Sequence, residues 1–187
     1  MKIISGKYKN RVIKPPKNFV HRPSTSKFRE ALFSILSSGQ FINDNIIENA
    51  KALDLYSGTG SLSFEAISRG ASSVTMVDIN REYLDSAMSF AKQLGEEGAV
   101  KTLCLDARYL PQSNERFNLV FIDPPYRNEL IGKTLDALQS EDWLEDRALI
   151  ALEMGKKENL SISSSFTLVK EKLYGNVKLV LVRYEQK

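Results

Sequence analysis

The chain has 187 residues, a mass of 21.1 kDa and 42% hydrophobic residues, which is typical of one globular domain with a short extension. It contains no run of about 18 apolar residues, and residues 1–7 lack the apolar core of a signal peptide, so we expect neither a membrane span nor export. A single cysteine excludes an intrachain disulfide, and one cysteine with one histidine argues against a zinc site, so we expect no bound metal and a cytoplasmic location.

Basic residues are concentrated at the N-terminal end of the chain. The net charge is +3, yet residues 1–30 carry nine Lys or Arg against one acid, whereas the other 157 residues carry 17 bases and 22 acids. This asymmetry indicates a polyanionic partner, most naturally a nucleic acid, although a solvated basic tail has the same composition. We expect an N-terminal extension over residues 1–48 that contacts nucleic acid, followed by a main domain over residues 49–187.

The extension itself has recognisable local patterns. Apolar residues cluster on both sides of Gly6 and Asn10, which predicts a β-hairpin within residues 2–14. Apolar residues at positions 28, 31, 32, 35 and 36 predict a helix that a preceding Ser or Thr can cap. The basic residues that we expect to contact phosphates are Lys7, Arg11, Arg22, Lys27 and Arg29. For Arg22 and Arg29, a structural ion pair is equally compatible with the sequence.

From residue 51 onward, short apolar runs alternate with amphipathic segments. The runs that predict strands cover residues 52–56, 74–77, 100–105, 117–122 and 148–153. The segments that predict helices cover residues 61–69, 81–96 and 129–139. Two last runs, 166–173 and 177–184, predict a closing antiparallel hairpin around Gly175. The alternation predicts an α/β fold with a mostly parallel seven-stranded sheet and right-handed crossovers.

Four successive strands of this sheet finish near an acidic residue. These acids are Asp54, Asp78, Asp106 and Asp123. Ligands of open α/β sheets bind beyond the carboxyl ends of the strands, where the strand order reverses. A single acid of this kind is usually a cap or a solvated strand end, but four in succession favour one ligand site.

The loop after the first strand points to a nucleoside ligand. Gly58 and Gly60 allow a ligand to approach the backbone, and Asp78 follows about 20 residues later, where a carboxylate binds ribose hydroxyls. Ser63 occupies the third small position of the dinucleotide fingerprint, which disfavours a nicotinamide nucleotide. A nucleoside that carries an amino acid suits the loop better, because its ammonium group would favour Asp54. S-adenosylmethionine is such a ligand.

The fourth strand runs directly into the sequence Asp123, Pro124, Pro125 and Tyr126. Because prolines lack an N–H group and fix φ, the strand must end there in a stiff corner. One carboxylate, the carbonyls beside the prolines and a tyrosine ring suit a planar heterocycle with an exocyclic amine. A plain proline-rich turn is the alternative interpretation.

These motifs resemble a known group of enzymes. Residues 54–60, Asp78, residues 106–107 and residues 123–126 are similar to the ordered motifs of Rossmann-like, S-adenosylmethionine-dependent amino-methyltransferases. Together with the N-terminal segment, the chain resembles the bacterial RsmD family, which methylates N2 of a guanine in small-subunit 16S ribosomal RNA. The segments that resemble this family in particular, among the amino-methyltransferases, are residues 4–11, 22–25, 29–33, 68–71 and 172–175.

The resemblance implies roles for individual residues. Asp123 and the Pro124 carbonyl would accept the hydrogens of the amine, and Tyr126 would stack on the base. The residues it assigns to catalysis are Asp123, Pro124, Pro125 and Tyr126. The residues it assigns to the cofactor are Asp54, Tyr56, Ser57, Gly58, Gly60, Asp78, Ile79, Asp106, Ala107 and Asp123. It also implies a monomer that acts on 16S rRNA within a 30S subunit or an assembly intermediate.

Three other functions remain open at this point. A DNA adenine-N6 methyltransferase would use the same corner, but would need a larger target-recognition segment than this chain offers. A nucleotide-binding or RNA-binding module without catalysis, and a nicotinamide oxidoreductase, are the other two.

Overall fold

The computed structural model describes residues 1–16, 25–38, 45–125 and 128–186, except for the side chains of residues 128 and 129. The strands are β1 (Lys51–Leu55), β2 (Ser73–Asp78), β3 (Val100–Cys104), β4 (Phe117–Ile122), β5 (Leu144–Gly155), β6 (Phe166–Tyr174) and β7 (Val177–Tyr184). The helices are α1 (Ser26–Ser37), α2 (Ser61–Ser68), α3 (Arg81–Leu94) and α4 (Asn128–Ser140). Within these described ranges, no helix has the length and apolarity that crossing a membrane requires.

All the strands belong to one seven-stranded sheet with the order β3-β2-β1-β4-β5-β7-β6. Strands β1 to β5 are parallel to their neighbours, whereas β7 runs antiparallel to β5 and β6 runs antiparallel to β7. The predicted parallel sheet with a C-terminal antiparallel hairpin is therefore confirmed. The order reverses between β1 and β4, which places the switch point at the centre of the sheet.

The central strands are continuous apolar runs because both faces of the sheet are covered. Residues 119–122 of β4 are at most 1% exposed. One face packs against apolar residues of α1, α2 and α3, and the other packs against α4 and Trp143. Burial on both faces is the usual condition of a parallel sheet, and it explains why these strands lack a polar–apolar alternation.

Strand β5 is longer than the prediction of residues 148–153. Leu144 pairs with Phe117, but the next paired residues are Leu149 and Leu119, so β5 carries three more residues than β4 in between. Residues 145–147 are polar and lie on the surface or partly so, and Arg147 has a φ of 63°. Because the residues of the bulge are polar, the apolar pattern of the sequence did not predict the first part of β5.

The N-terminal residues form a compact antiparallel loop, as the hairpin prediction required. The Ile3 N–H donates to the Arg11 carbonyl at 3.0 Å, and Lys2 forms a bridge with Val12. Ile3 and Ile13 are nearly fully buried in the same cluster as α1, α2 and the sheet. The division into residues 1–48 and 49–187 stays a prediction.

This hairpin is fixed to the C-terminal end of α2. The Lys7 N–H donates to the Ser68 carbonyl at 2.8 Å, and two further backbone N–H groups donate to the buried Glu65 carboxylate at 2.8 and 3.1 Å. Gly6 has a φ of 81°, and a Cβ there would lie 1.8 Å from the Ser68 carbonyl oxygen. Only glycine permits so close an approach, so the hairpin and α2 are held as one unit.

Candidate active site

The site lies at the carboxyl edge of the sheet, around the switch point. Leu55 of β1 pairs with Val77 of β2 on one side and with Ile122 of β4 on the other. The residues that come next in the chain therefore emerge together at the same edge. Two of them are Asp78 and Asp123, so the register of the sheet gathers the acids that the sequence predicted to be neighbours.

Asp78 is held in place by backbone N–H groups. Its Oδ2 accepts a hydrogen bond from the Gly58 N–H at 2.8 Å, and its Oδ1 accepts one from the Asn80 N–H at 2.8 Å. A carboxylate has about four lone-pair sites, so each oxygen retains capacity for a ligand. Asp78 is half-buried, so its carboxylate is partly accessible from the surface.

The glycine loop contains two hydroxyl groups that have no hydrogen-bond partner among the described residues. These are the buried Ser57 Oγ and Thr59 Oγ1. Leaving a buried hydroxyl unpaired costs about 1–3 kcal/mol, so such groups are usually satisfied by protein, water or ligand. Their presence beside Gly58 and Gly60 fits a polar ligand in this loop.

Gly60 is required by packing as well as by backbone conformation. It has a φ of 83° and forms the N-terminal cap of α2. A Cβ at this position would lie 2.8 Å from both Met76 Cε and Phe64 Cε2. The loop is therefore packed directly against β2 and α2, and this packing restricts its shape.

Asp54 lies inside β1, the strand that the sequence predicted to be buried, and not at its solvated end. Its carboxylate is buried, and Oδ2 accepts hydrogen bonds from the Ser63 N–H at 3.1 Å and the Ser63 hydroxyl at 2.5 Å. Burial raises the pKa of Asp54 to about 7, despite the opposing effect of these hydrogen bonds. Asp54 thus ties β1 to the first turn of α2, and its predicted contact with an ammonium group stays a prediction.

Asp106 is paired with a residue that the sequence did not single out. The Arg108 guanidinium donates to both carboxylate oxygens, with Nε–Oδ1 at 2.9 Å and Nη2–Oδ2 at 2.5 Å. These bonds lower the pKa of Asp106. The neighbouring Ala107 is buried. An adenine edge at this position would meet a carboxylate that already has a cationic partner.

Two large apolar side chains stand exposed beside these acids. Ile79 follows β2 and is 74% exposed, and Tyr109 follows β3 and is 69% exposed. The ends of the two strands are adjacent, since the Leu105 N–H donates to the Asp78 carbonyl at 3.2 Å. Exposed apolar surface next to fixed polar groups is typical of a site for a flat heterocycle.

Tyr56 connects the glycine loop to α4. Its hydroxyl lies 2.7 Å from Thr134 Oγ1, and the Thr134 hydroxyl donates to the Leu130 carbonyl at 2.7 Å. Because threonine has one hydroxyl hydrogen, Tyr56 must be the donor to Thr134. Tyr56 has a φ of 60°, and burial raises the pKa of its hydroxyl. The bond fixes the ring at the mouth of the loop.

Asp123 lies beside a second carboxylate, Glu153. Ile122 of β4 pairs with Leu152 of β5. Asp123 and Glu153 are the next residues in the two strands' sequences, so they lie next to each other across the sheet. Burial and the charge of Glu153 raise the pKa of Asp123 well above its ordinary value, and burial raises the pKa of Glu153 to about 7. Two close carboxyl groups resist double ionisation, so the pair readily holds a proton.

The rest of the predicted corner is only partly described. Pro124 is buried and Pro125 is exposed at the end of β4. Tyr126 lies outside the described residues, so its stacking role stays a prediction.

The predicted RNA-binding residues fall into different environments. Lys27 and Arg11 are exposed, and Lys7 is exposed while it forms an ion pair with Glu96. Arg29 does not lie on the surface: it is 2% exposed, and its Nη2 donates to the Lys2 carbonyl at 3.1 Å. Its interior position is inconsistent with a phosphate contact and favours the structural alternative. Arg22 lies outside the described residues.

Comparisons with known proteins place this architecture in a family. The model of the conserved hypothetical protein 95 family matches residues 1–183. The chain belongs to this family. An uncharacterized methylase of Rickettsia prowazekii is 36% identical, with 98% of each chain covered. The ribosomal RNA small subunit methyltransferase D of Escherichia coli K12 is 30% identical, with 99% of this chain and 90% of the relative covered.

A solved structure supports the same assignment. The structure of the putative methyltransferase yhhF from Escherichia coli superimposes with a TM-score of 0.87 at 29% identity, and the match covers 100% of this chain and 99% of that chain. The conserved hypothetical protein 95 family is thus the group that the sequence motifs resemble, and the Rossmann-like methyltransferase fold is confirmed.

The sequence patterns did not predict three residues that the structure places in the site. Ser63 was noted only as a missing glycine, although its hydroxyl binds Asp54. Arg108 lies two positions after Asp106, which is a spacing that permits a local ion pair. Glu153 ends the fifth predicted strand, so the rule that marked four strand-end acids would have found it if applied once more.

Proposed function

We propose that this protein is a methyltransferase that transfers a methyl group from S-adenosylmethionine to the exocyclic N2 amine of a guanine in small-subunit 16S rRNA. The observation that carries the proposal is the meeting of two features at one sheet edge. The Asp123–Pro124 corner provides acceptors for an amine, and the loop bound to Asp78 provides a nucleoside site. Membership of a family whose Escherichia coli relative is named as an rRNA methyltransferase supports the rRNA substrate.

The residues around the loop fit S-adenosylmethionine. Asp78 has acceptor capacity for the ribose hydroxyls, and Ile79 offers an apolar surface to the adenine ring. Asp106 and Ala107 would hold the edge of the adenine. The residues that would hold the methionine part are Asp54, Tyr56, Ser57, Gly58 and Gly60, and the unpaired hydroxyl of Ser57 favours that placement. When bound, the cofactor supplies a methyl group on a positively charged sulfur, which leaves as a neutral thioether.

The chain's own contribution to the reaction is orientation and proton handling. The lone pair of a guanine amine is delocalised into the ring, and acceptors for both of its hydrogens localise that pair on nitrogen. Asp123 and the Pro124 carbonyl supply these acceptors, and Tyr126 stacks on the base. The amine gains one N–C bond and sheds one proton. Asp123 can take that proton when it is ionised, and burial, which raises its pKa, favours the protonated product.

The basic hairpin would bind the RNA backbone. Its exposed basic residues are Lys2, Lys7, Lys9, Arg11 and Lys14. Lys27 at the start of α1 adds one more cation, and Arg22 stays a predicted contact. We propose that the substrate is rRNA within a 30S subunit or an assembly intermediate. We also propose that the protein acts as a monomer in the cytoplasm.

The proposal is tested with 30S subunits from cells that lack this gene. The purified chain and isotopically labelled S-adenosylmethionine are incubated with these subunits, and duplex DNA is tested in parallel. Digestion of the rRNA to nucleosides should release label as N2-methylguanosine. Label found only in the adenine of DNA would overturn the substrate. Calorimetric binding of NAD but not of S-adenosylhomocysteine would overturn the reaction class.

A further inference from the structure

The side chains of Asp123 and Glu153 lie on the same face of the sheet and next to each other across neighbouring strands. Phe121 and Ala151 are paired across β4 and β5, and both belong to the cluster on the face that α1 and α2 cover. Because side chains alternate along a strand, positions two residues later return to that same face. Asp123 and Glu153 are those positions, so the two carboxyl groups lie side by side at the end of the sheet.

Glu153 has an oxygen that no described residue satisfies. Its Oε2 is buried and makes no hydrogen bond within the described part of the chain. An unpaired buried acceptor is costly and calls for a donor from a ligand or water. Glu153 is also distinct from the groups that hold the cofactor loop, since Asp78 and Asp54 accept their hydrogen bonds from Gly58, Asn80 and Ser63.

The two carboxylates match one feature of guanine that adenine lacks. Guanine presents two neighbouring donors on one edge, the N2 amine and the N1–H, whereas adenine presents its N6 amine beside an N1 acceptor. An acceptor placed next to the one that binds the amine will therefore attract guanine. The same acceptor, when ionised, repels the N1 lone pair of adenine.

We propose that Glu153 accepts the N1–H of the target guanine while Asp123 accepts a hydrogen of its N2 amine, so that Glu153 selects guanine over adenine. This inference rests on the proposed function, because it assigns a specificity-determining residue to the same site. It explains why a second carboxylate with a buried oxygen stands near the end of β5, where a methyl-transfer reaction alone needs none.

The test uses 2-aminopurine, a base that keeps the 2-amine but carries an N1 acceptor in place of the N1–H. The target guanine, once mapped, is replaced by 2-aminopurine in 16S rRNA assembled by fragment ligation and reconstituted into 30S subunits. Methyl transfer to each substrate is measured for the wild-type chain, Glu153→Gln and Glu153→Ala. Glu145→Gln, at the opposite end of β5, is the matched control.

The wild-type chain and Glu145→Gln should methylate the guanine substrate at least about tenfold more efficiently than the 2-aminopurine substrate, by kcat/KM. Both Glu153 variants should reduce this ratio to within about threefold of unity, chiefly through lower efficiency on guanine. A wild-type ratio near one, or Glu153 variants that slow both substrates equally, would overturn the inference while leaving the proposed function intact. Failure of the wild-type chain to methylate the guanine substrate would overturn the proposed function and, with it, the inference.

Discussion

The Oδ2 atom of Asp78 lies 2.8 Å from the backbone nitrogen of Gly58, although the two residues are 20 positions apart in the chain. The bond joins the end of β2 to the loop that follows β1. It fixes the loop and the acid relative to each other. A site whose groups are fixed in this way loses less conformational entropy when a ligand binds.

Replacement of Asp78 by Asn tests this arrangement. An amide has one acceptor oxygen, so it cannot accept from Gly58 and Asn80 and also bind two ribose hydroxyls. We expect the Kd for S-adenosylhomocysteine to rise by about tenfold or more in calorimetry. Asp85→Asn, on the exposed side of α3, should leave the Kd unchanged. An Asp78 variant with wild-type affinity would exclude Asp78 from the cofactor site.

A second prediction concerns the junction between the hairpin and α2. Gly6→Ala would place a methyl group 1.8 Å from the Ser68 carbonyl oxygen, so the hairpin must move away from the helix. Gly175→Ala is the matched control, because Gly175 also has a positive φ but has no atom within 4 Å of the added Cβ. Both variants carry a backbone strain of about 1 kcal/mol.

For Gly6→Ala we also expect faster hydrogen exchange at the Lys7 amide and weaker binding of 16S rRNA, with S-adenosylhomocysteine affinity retained. Equal effects of the Gly6 and Gly175 substitutions on exchange and on RNA binding would show that the junction has no special importance.

A third prediction separates two arginines of the N-terminal extension. Arg11 is exposed, so Arg11→Ala should weaken rRNA binding and reduce the slope of log K against log salt by roughly 0.7 to 0.9. Arg29 is buried, so Arg29→Ala should lower the free energy of unfolding by about 2–4 kcal/mol and leave the salt slope unchanged. Urea unfolding and filter binding measure the two quantities. The reverse outcome would return Arg29 to the RNA-binding surface.

The buried acid Asp54 predicts a pH dependence of stability. Its pKa is about 7 in the folded chain against an ordinary value of 3.8, so between these values the folded state holds a proton that the unfolded state has lost. Asp54 therefore lowers stability progressively as the pH rises from about 4 to about 7, by a few kcal/mol in total. Glu153 and Asp123 act in the same direction.

Asp54→Asn removes one of these three contributions. We expect the free energy of unfolding of this variant to fall less between pH 5 and pH 7.5 than that of the wild-type chain. Asp136→Asn, on the exposed side of α4, should show the wild-type fall. An Asp54 variant with the same pH dependence as the wild-type chain would show that Asp54 is ionised in both states.

The sheet could be predicted because its signals are local. Strands that end in Asp78 and Asp123 are apolar runs closed by an acid, and parallel pairing brings such ends together. The partners of buried polar groups could not be predicted in the same way. Arg29 has the charge of a typical surface residue, and only the packing of α1 against the sheet places it inside. Asp54 lies in a strand that was predicted to be buried, but its partner Ser63 on α2 was not predicted.

The most direct test of the central proposal is methyl transfer by Asp123→Asn to 30S subunits that lack the modification. We predict that the formation of N2-methylguanosine falls by at least about 100-fold, because the amide offers one acceptor and cannot take the proton, while the Kd for S-adenosylhomocysteine changes little. If Asp123→Asn instead forms N2-methylguanosine at the wild-type rate, the corner after β4 is not the site of the reaction.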